Sequence, residues 1–173
     1  MPAVETAEED FKRAVREDNA EIYESKGYDA VVGVGPNPET EFNPASVEPQ
    51  IGADSEIGEF ARVVGDERLG LGSEVYDRAA IGADEGSPII IGENAEIDER
   101  VTFHALEATS ITVGDDLVAE DDSVLHASVE VGNKLSVDDD SVVFWVEVGD
   151  DVTVGEDVSS SRGQPARPQT RRT

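Results

Sequence analysis

His104 and His126 are the two histidines in 173 residues, and cysteine is absent. A transition-metal site in this chain must therefore be built from imidazole and carboxylate, with no thiolate ligand, disulfide or cysteine nucleophile open to it. The two histidines hold equivalent places, since His104 follows Phe103 and His126 follows Leu125 in a recurring six-residue unit. Their separation equals one coil of three such units plus a four-residue excess between Phe103 and Val113. On that count both imidazoles project outward from one face in adjacent coils, close enough to bind one ion. Two surface histidines sharing a slot by accident is the competing reading. Two imidazoles alone hold zinc weakly, and the acid placed to complete the set is Asp121, two residues past Ala119 on a different face from His126. It reaches the ion only from a neighbouring copy, across the interface of a trimer of parallel prisms. Its alternative is one solvated acid in the run Glu120-Asp121-Asp122.

The elements that position these residues are read from an aliphatic ladder. Ile51, Ile57, Val63, Leu69, Val75 and Ile81 recur every six residues; the ladder resumes at Ile91, Ile97 and Phe103, and again from Val113 through Ala119, Leu125, Val131, Val137 and Val143. It ends, after a five-residue step, at Val148 and Val154. A helix would repeat every three to four residues and a hairpin every two, whereas a six-residue period is the mark of a solenoid of short strands. The expected fold is an all-β solenoid, a left-handed parallel β-helix of four to five coils of about 18 residues, stacked about 4.8 Å apart. The chain divides into an N-terminal α-helix within 1–30, an extended lead-in over 31–50 with four prolines, the β-helix over 51–158 and a disordered basic tail over 159–173. The helix is read over 5–26, where Phe11, Ala14, Val15, Ile22 and Tyr23 recur at roughly helical spacing before Gly27.

Forty Asp and Glu against 13 Lys and Arg give a net charge of −27, with three lysines in all. Such a chain repels itself in dilute buffer and suits a salt-loaded cytoplasm, where the screening length falls to about 3 Å at about 1 M. A polyanion does not track a phosphate backbone or an anionic membrane, so neither nucleic acid nor membrane is expected as a partner. No stretch of 18 apolar residues and no basic leader followed by an apolar run is present.

The stretch AIGADEGSPIIIGENAEIDERVTFHALE, residues 80–107, resembles the core of the gamma-class carbonic anhydrases, whose pattern runs IRSDEGxPIxVGDxxNVQDGVxxHALE. VGDDLVAEDDSVLHASVEVG, residues 113–132, is similar to that family's IGxxxxxAHxxxxHGxxxVG segment, and the similarity covers roughly residues 36–157. The resemblance implies a homotrimer that hydrates carbon dioxide to bicarbonate at zinc or iron. His104 and His126 match two ligands, and the third, a histidine lent by the neighbouring subunit, falls on Asp121. Glu107 and Glu85 match acids that assist proton transfer or line the site. Asp98 stands where the family has a glutamine that orients hydroxide and bicarbonate, and Gly82 stands where it has an arginine that pairs with the aspartate matching Asp84. An aspartate ligand lowers the charge of the metal site and makes hydroxide harder to form, and Asp98 opposes an anionic product. These departures admit a second reading, a catalytically lapsed trimer kept as a scaffold or assembly subunit. The hexapeptides alone are shared with many acyltransferases, whose pattern lacks DEGSPI and HALE.

Overall fold

Apolar residues six apart along an extended chain face one interior only if the chain turns a corner between them. In the computed structural model, which describes residues 33–161 apart from Gly86, they do so in a parallel β-solenoid with no helix among the described residues. The helix expected over 5–26 and the tail beyond Ser161 lie outside the described residues.

Three ladders of parallel strands form the walls. The first runs through Val34–Gly35, Arg62–Gly65, Ala80–Ala83, Thr102–His104, the first halves of Val124–Val131 and Val142–Val148, and Ser159–Ser161. The second contains Gln50–Ile51, Glu67–Leu69, Ile89–Ile91, Ile111–Val113 and the second halves of the same two long strands. The third joins Glu56–Ile57, Glu74–Val75, Glu96–Ile97, Val118–Ala119, Ser136–Val137 and Thr153–Val154. Six strands in the third ladder mean about six turns, more than the four to five expected. Reading the breaks at 82–90 and 105–112 as interruptions of the ladder lowers the count. They are corners inside two complete, longer turns: Ile81 pairs with Phe103 and Phe103 with Leu125, each step longer by four than that from Val63 to its partner Ile81.

The ladder residues line the core. Val63, Leu69, Val75, Ile81, Ile97 and Phe103 are all at most 3% exposed, and their counterparts in the later turns through Val143 are buried too. Ile51 and Ile57 are partly buried against the core, and Val148 is exposed. The lead-in is pinned by Asn37, whose amide donates to the carbonyls of Pro38 and Ala45, 3.0 Å each, and whose Oδ1 accepts from Val47 N–H at 2.9 Å. Gly65, at φ 88°, lies so close to the Ala83 carbonyl that a Cβ there would collide with it.

One residue breaks the pattern of an aliphatic interior, and one backbone feature repeats along a corner. Glu67 points inward, fully buried, with neither carboxyl oxygen hydrogen-bonded. At the corner between the third and first ladders, Arg78, Arg100, Asp122, Asp140 and Asp157 repeat one left-handed position with φ of 65°, 61°, 60°, 56° and 58°. Aspartate tolerates that region better than most residues, so its repetition there is locally consistent.

Candidate metal centre

The short strands Thr102–His104 and Val124–Val131 put alternate residues inside and outside. Phe103 and Leu125 face the core, which turns the following residue of each outward. The ladder then sets Thr102 beside Val124, Phe103 beside Leu125 and His104 beside His126. The imidazoles stand 5.4 Å apart between centroids, tilted by 36°. The column continues downward to Gly82 and upward to Phe144, whose ring stacks on His126 at 5.7 Å and 17°. Trp145 meets Phe144 edge-on at 6.0 Å.

Around His104 the structure gathers two of the expected acids, Asp84 and Glu85, and ties in a third, Glu107, by its backbone alone. His104 Nε2 lies 3.4 Å from Glu85 Oε1 and 3.7 Å from Asp84 Oδ1, a carboxylate oxygen that is buried and accepts no hydrogen bond. Glu85 Oε2 accepts from Glu107 N–H at 3.1 Å, because the enlarged corners of the two long turns stack on each other. Beside them a recess of about 160 Å³ is lined by Arg62, Gly82, Asp84, Thr102 and His104, among others. A Cβ at Gly82 would sit 3.5 Å from Asp84 Oδ1 and 3.9 Å from His104 Cδ2, an ordinary contact, so a side chain here would enter this space without a clash.

The other two expected residues lie apart, at the corner between the third and first ladders. Asp121 Oδ1 accepts from Glu99 N–H at 3.0 Å, and its Oδ2 lies 3.6 Å from Arg100 Nη2. Asp98 belongs to the same corner: burial holds its pKa above the usual carboxylate value, and the charges of Glu96, Asp121, Glu120 and Asp139 push it further the same way. Within one chain, among the described residues, no three His or carboxylate side chains converge on one point. The donor types nonetheless suit zinc or iron(II): two imidazoles on adjacent rungs, and a carboxylate whose Oδ1 is already oriented by a backbone N–H. Within one chain the carboxylates beside the histidine pair are Asp84 and Glu85, and Asp121 is not among them.

Sequence reasoning missed the guanidinium at this corner. Arg100 Nε and Nη2 donate to the two oxygens of Asp122 at 2.8 Å each, and Nη1 donates to Glu99 Oε2 at 3.1 Å. That pairing holds the Asp122 carboxyl below its usual pKa. The signal was present, since Arg100 and Asp122 are separated by the same interval that pairs the two histidines.

No family model matches the chain. Over 125 residues it is 31% identical to a carbonic anhydrase of Methanosarcina thermophila, a match covering 69% of this chain and 49% of that protein. Carboxysome assembly protein CcmM of a Nostoc species is 29% identical over 122 residues, covering 65% of this chain and 22% of that protein. CcmM of a Synechocystis species is 32% identical over 117 residues, 62% of this chain and 17% of that protein. The chain spans about half or less of the length of these relatives.

Proposed function

Since the chain is a divergent homologue of the gamma-class carbonic anhydrases and of CcmM, we propose that it is a left-handed β-helical homotrimer that reversibly hydrates carbon dioxide in a salt-rich cytoplasm. His104 and His126 of one copy and Asp121 of another hold zinc or iron(II) at the interface. The observation that carries this reading is the register that sets His104 against His126 on the outside of the homologous stretch. When bound, the metal supplies the polarisation that lets water lose a proton near neutral pH. The chain supplies the rest. Glu85, 3.4 Å from His104 Nε2, is the carboxylate placed to accept the released proton and hand it to solvent, and the Glu107 N–H, which donates to its other oxygen, holds it in that position. Asp98, at the corner that carries Asp121, faces the forming bicarbonate, and its negative charge opposes that anion and limits the rate.

A second reading is favoured by two observations: other matched relatives are carboxysome assembly proteins, and in this chain Asp121 is already engaged by Glu99 and Arg100. On that reading the trimer is a scaffold. Metal analysis of protein purified in molar salt, followed by stopped-flow hydration assays after anoxic loading with zinc or iron(II), separates the two. The enzyme reading expects one metal ion per copy and hydration that disappears on chelation and in His104→Ala. A trimer that takes up no metal and hydrates no carbon dioxide after loading leaves the scaffold.

A further inference from the structure

We infer that Arg100 is a positioning residue that sets how tightly the site holds its metal, by competing for the one oxygen of Asp121 left open to it; this rests on the reading of Asp121 as a ligand. Asp121 Oδ1 is occupied by the Glu99 N–H, so a metal approaching from a neighbouring copy meets Oδ2. Oδ2 already faces a fixed positive charge, Arg100 Nη2, at 3.6 Å. The contact is longer than a hydrogen bond and both side chains are exposed, so molar salt, with a screening length of about 3 Å, weakens the attraction but leaves part of it at this separation.

What keeps the guanidinium from closing on Oδ2 is Asp122. Two parallel bonds of 2.8 Å hold Arg100 by its Nε and Nη2, with a third at 3.1 Å from Nη1 to Glu99. This is the bidentate geometry in which guanidinium and carboxylate pair most firmly. Arg100 and Asp122 occupy the same left-handed corner position in successive turns, so the backbone itself sets them side by side. The corner is thus a balance: Asp122 restrains a cation that would otherwise take the oxygen the metal needs.

The balance makes opposite predictions for two changes. Arg100→Gln removes the rival charge and frees Oδ2, so zinc binds about tenfold tighter, the lower end of what groups around a ligand usually command. Asp122→Asn keeps the left-handed turn, which asparagine tolerates, but loosens the restraint, so Arg100 moves onto Oδ2 and zinc binds about tenfold more weakly. The measurement is zinc affinity of the full chain by titration calorimetry in molar salt, with the melting temperature of the metal-free protein recorded for each variant. A purely structural role for the ion pair would make both variants weaker in parallel with lost stability. Shifts in the same direction, or an unchanged affinity in Arg100→Gln, overturn the inference while leaving the metal site intact. Failure of the unaltered protein and both variants to take up zinc overturns the site reading itself.

Discussion

Replacing Glu67 by Gln should stabilise the protein by an amount that grows with pH. Glu67 lies inside the second ladder opposite Ile89, its carboxyl oxygens buried and without a hydrogen-bond partner. Burial raises its pKa well above the usual value, and the neighbouring charge of Asp66 pushes the same way. The folded state therefore keeps a proton that the unfolded chain, titrating near about pH 4.3, has released. Below that pH the ionisation of Glu67 costs nothing. Above it, each pH unit removes about 1.4 kcal/mol until the folded pKa is passed. The glutamine amide has nearly the same shape and never ionises, so the variant lacks this slope. In a chain of this length 1 kcal/mol corresponds to about 2–4 °C in melting temperature, so within that window the variant should gain up to about 3–6 °C per pH unit on the unaltered protein. Differential scanning calorimetry of both proteins, at the same molar salt and two pH values, measures the difference directly and cancels the titration of the many surface acids. An identical gap at the two pH values would show that Glu67 exchanges no proton on unfolding and refute the argument from burial.

Three other outcomes are expected. Diluting salt below about 1 M should lower the melting temperature steadily, because the −27 net charge is then poorly screened; a temperature unchanged between about 0.1 M and about 3 M contradicts it. Asp121→His should tighten zinc binding and raise the hydration rate near neutral pH, with Asp98→Gln adding to the gain; titration calorimetry showing no tighter zinc would count against Asp121 as ligand. His104→Ala and His126→Ala should each abolish zinc binding while moving the stability of the metal-free protein by no more than about 0.5 kcal/mol, since both side chains lie outside the core; a collapse of the solenoid in circular dichroism would reassign them to structure.

Much of the architecture is readable because a solenoid repeats its instructions. The six-residue aliphatic period alone places Val63, Ile81, Phe103 and Leu125 in the core, and the interval between the histidines places His104 on His126. Phe144 over His126 is equally accessible, being one regular turn further on. What resists reading is what departs from the repeat. Glu67 occupies an inward position by strand alternation, two residues before Leu69, but a charged residue is assigned outward by default, and only the packed interior shows otherwise. Arg100 escapes notice because its main partner belongs to the next turn, and a charge in so acidic a chain reads as solvated surface. The expected turn count falls short because loops within a turn and gaps between turns look alike along a sequence.

The long turns carry a wider consequence. Steps from the first ladder to the second are six residues from Val63 to Leu69, ten from Ile81 to Ile91 and from Phe103 to Val113, six from Leu125 to Val131 and five from Val143 to Val148. Steps across the other two corners stay at six throughout, from Ile51 to Ile57 and Val63 up to Val148, Val154 and Ser160. Insertions and deletions are thus confined to one edge of the prism, the edge that carries Glu85 and Glu107 beside His104. Lengthening this edge leaves the phase of every core residue untouched, and because it is lengthened equally in two consecutive turns the added segments support each other. The solenoid therefore separates what can vary from what cannot, and grafting or trimming residues at this single edge changes the surface beside His104 while keeping the core in phase.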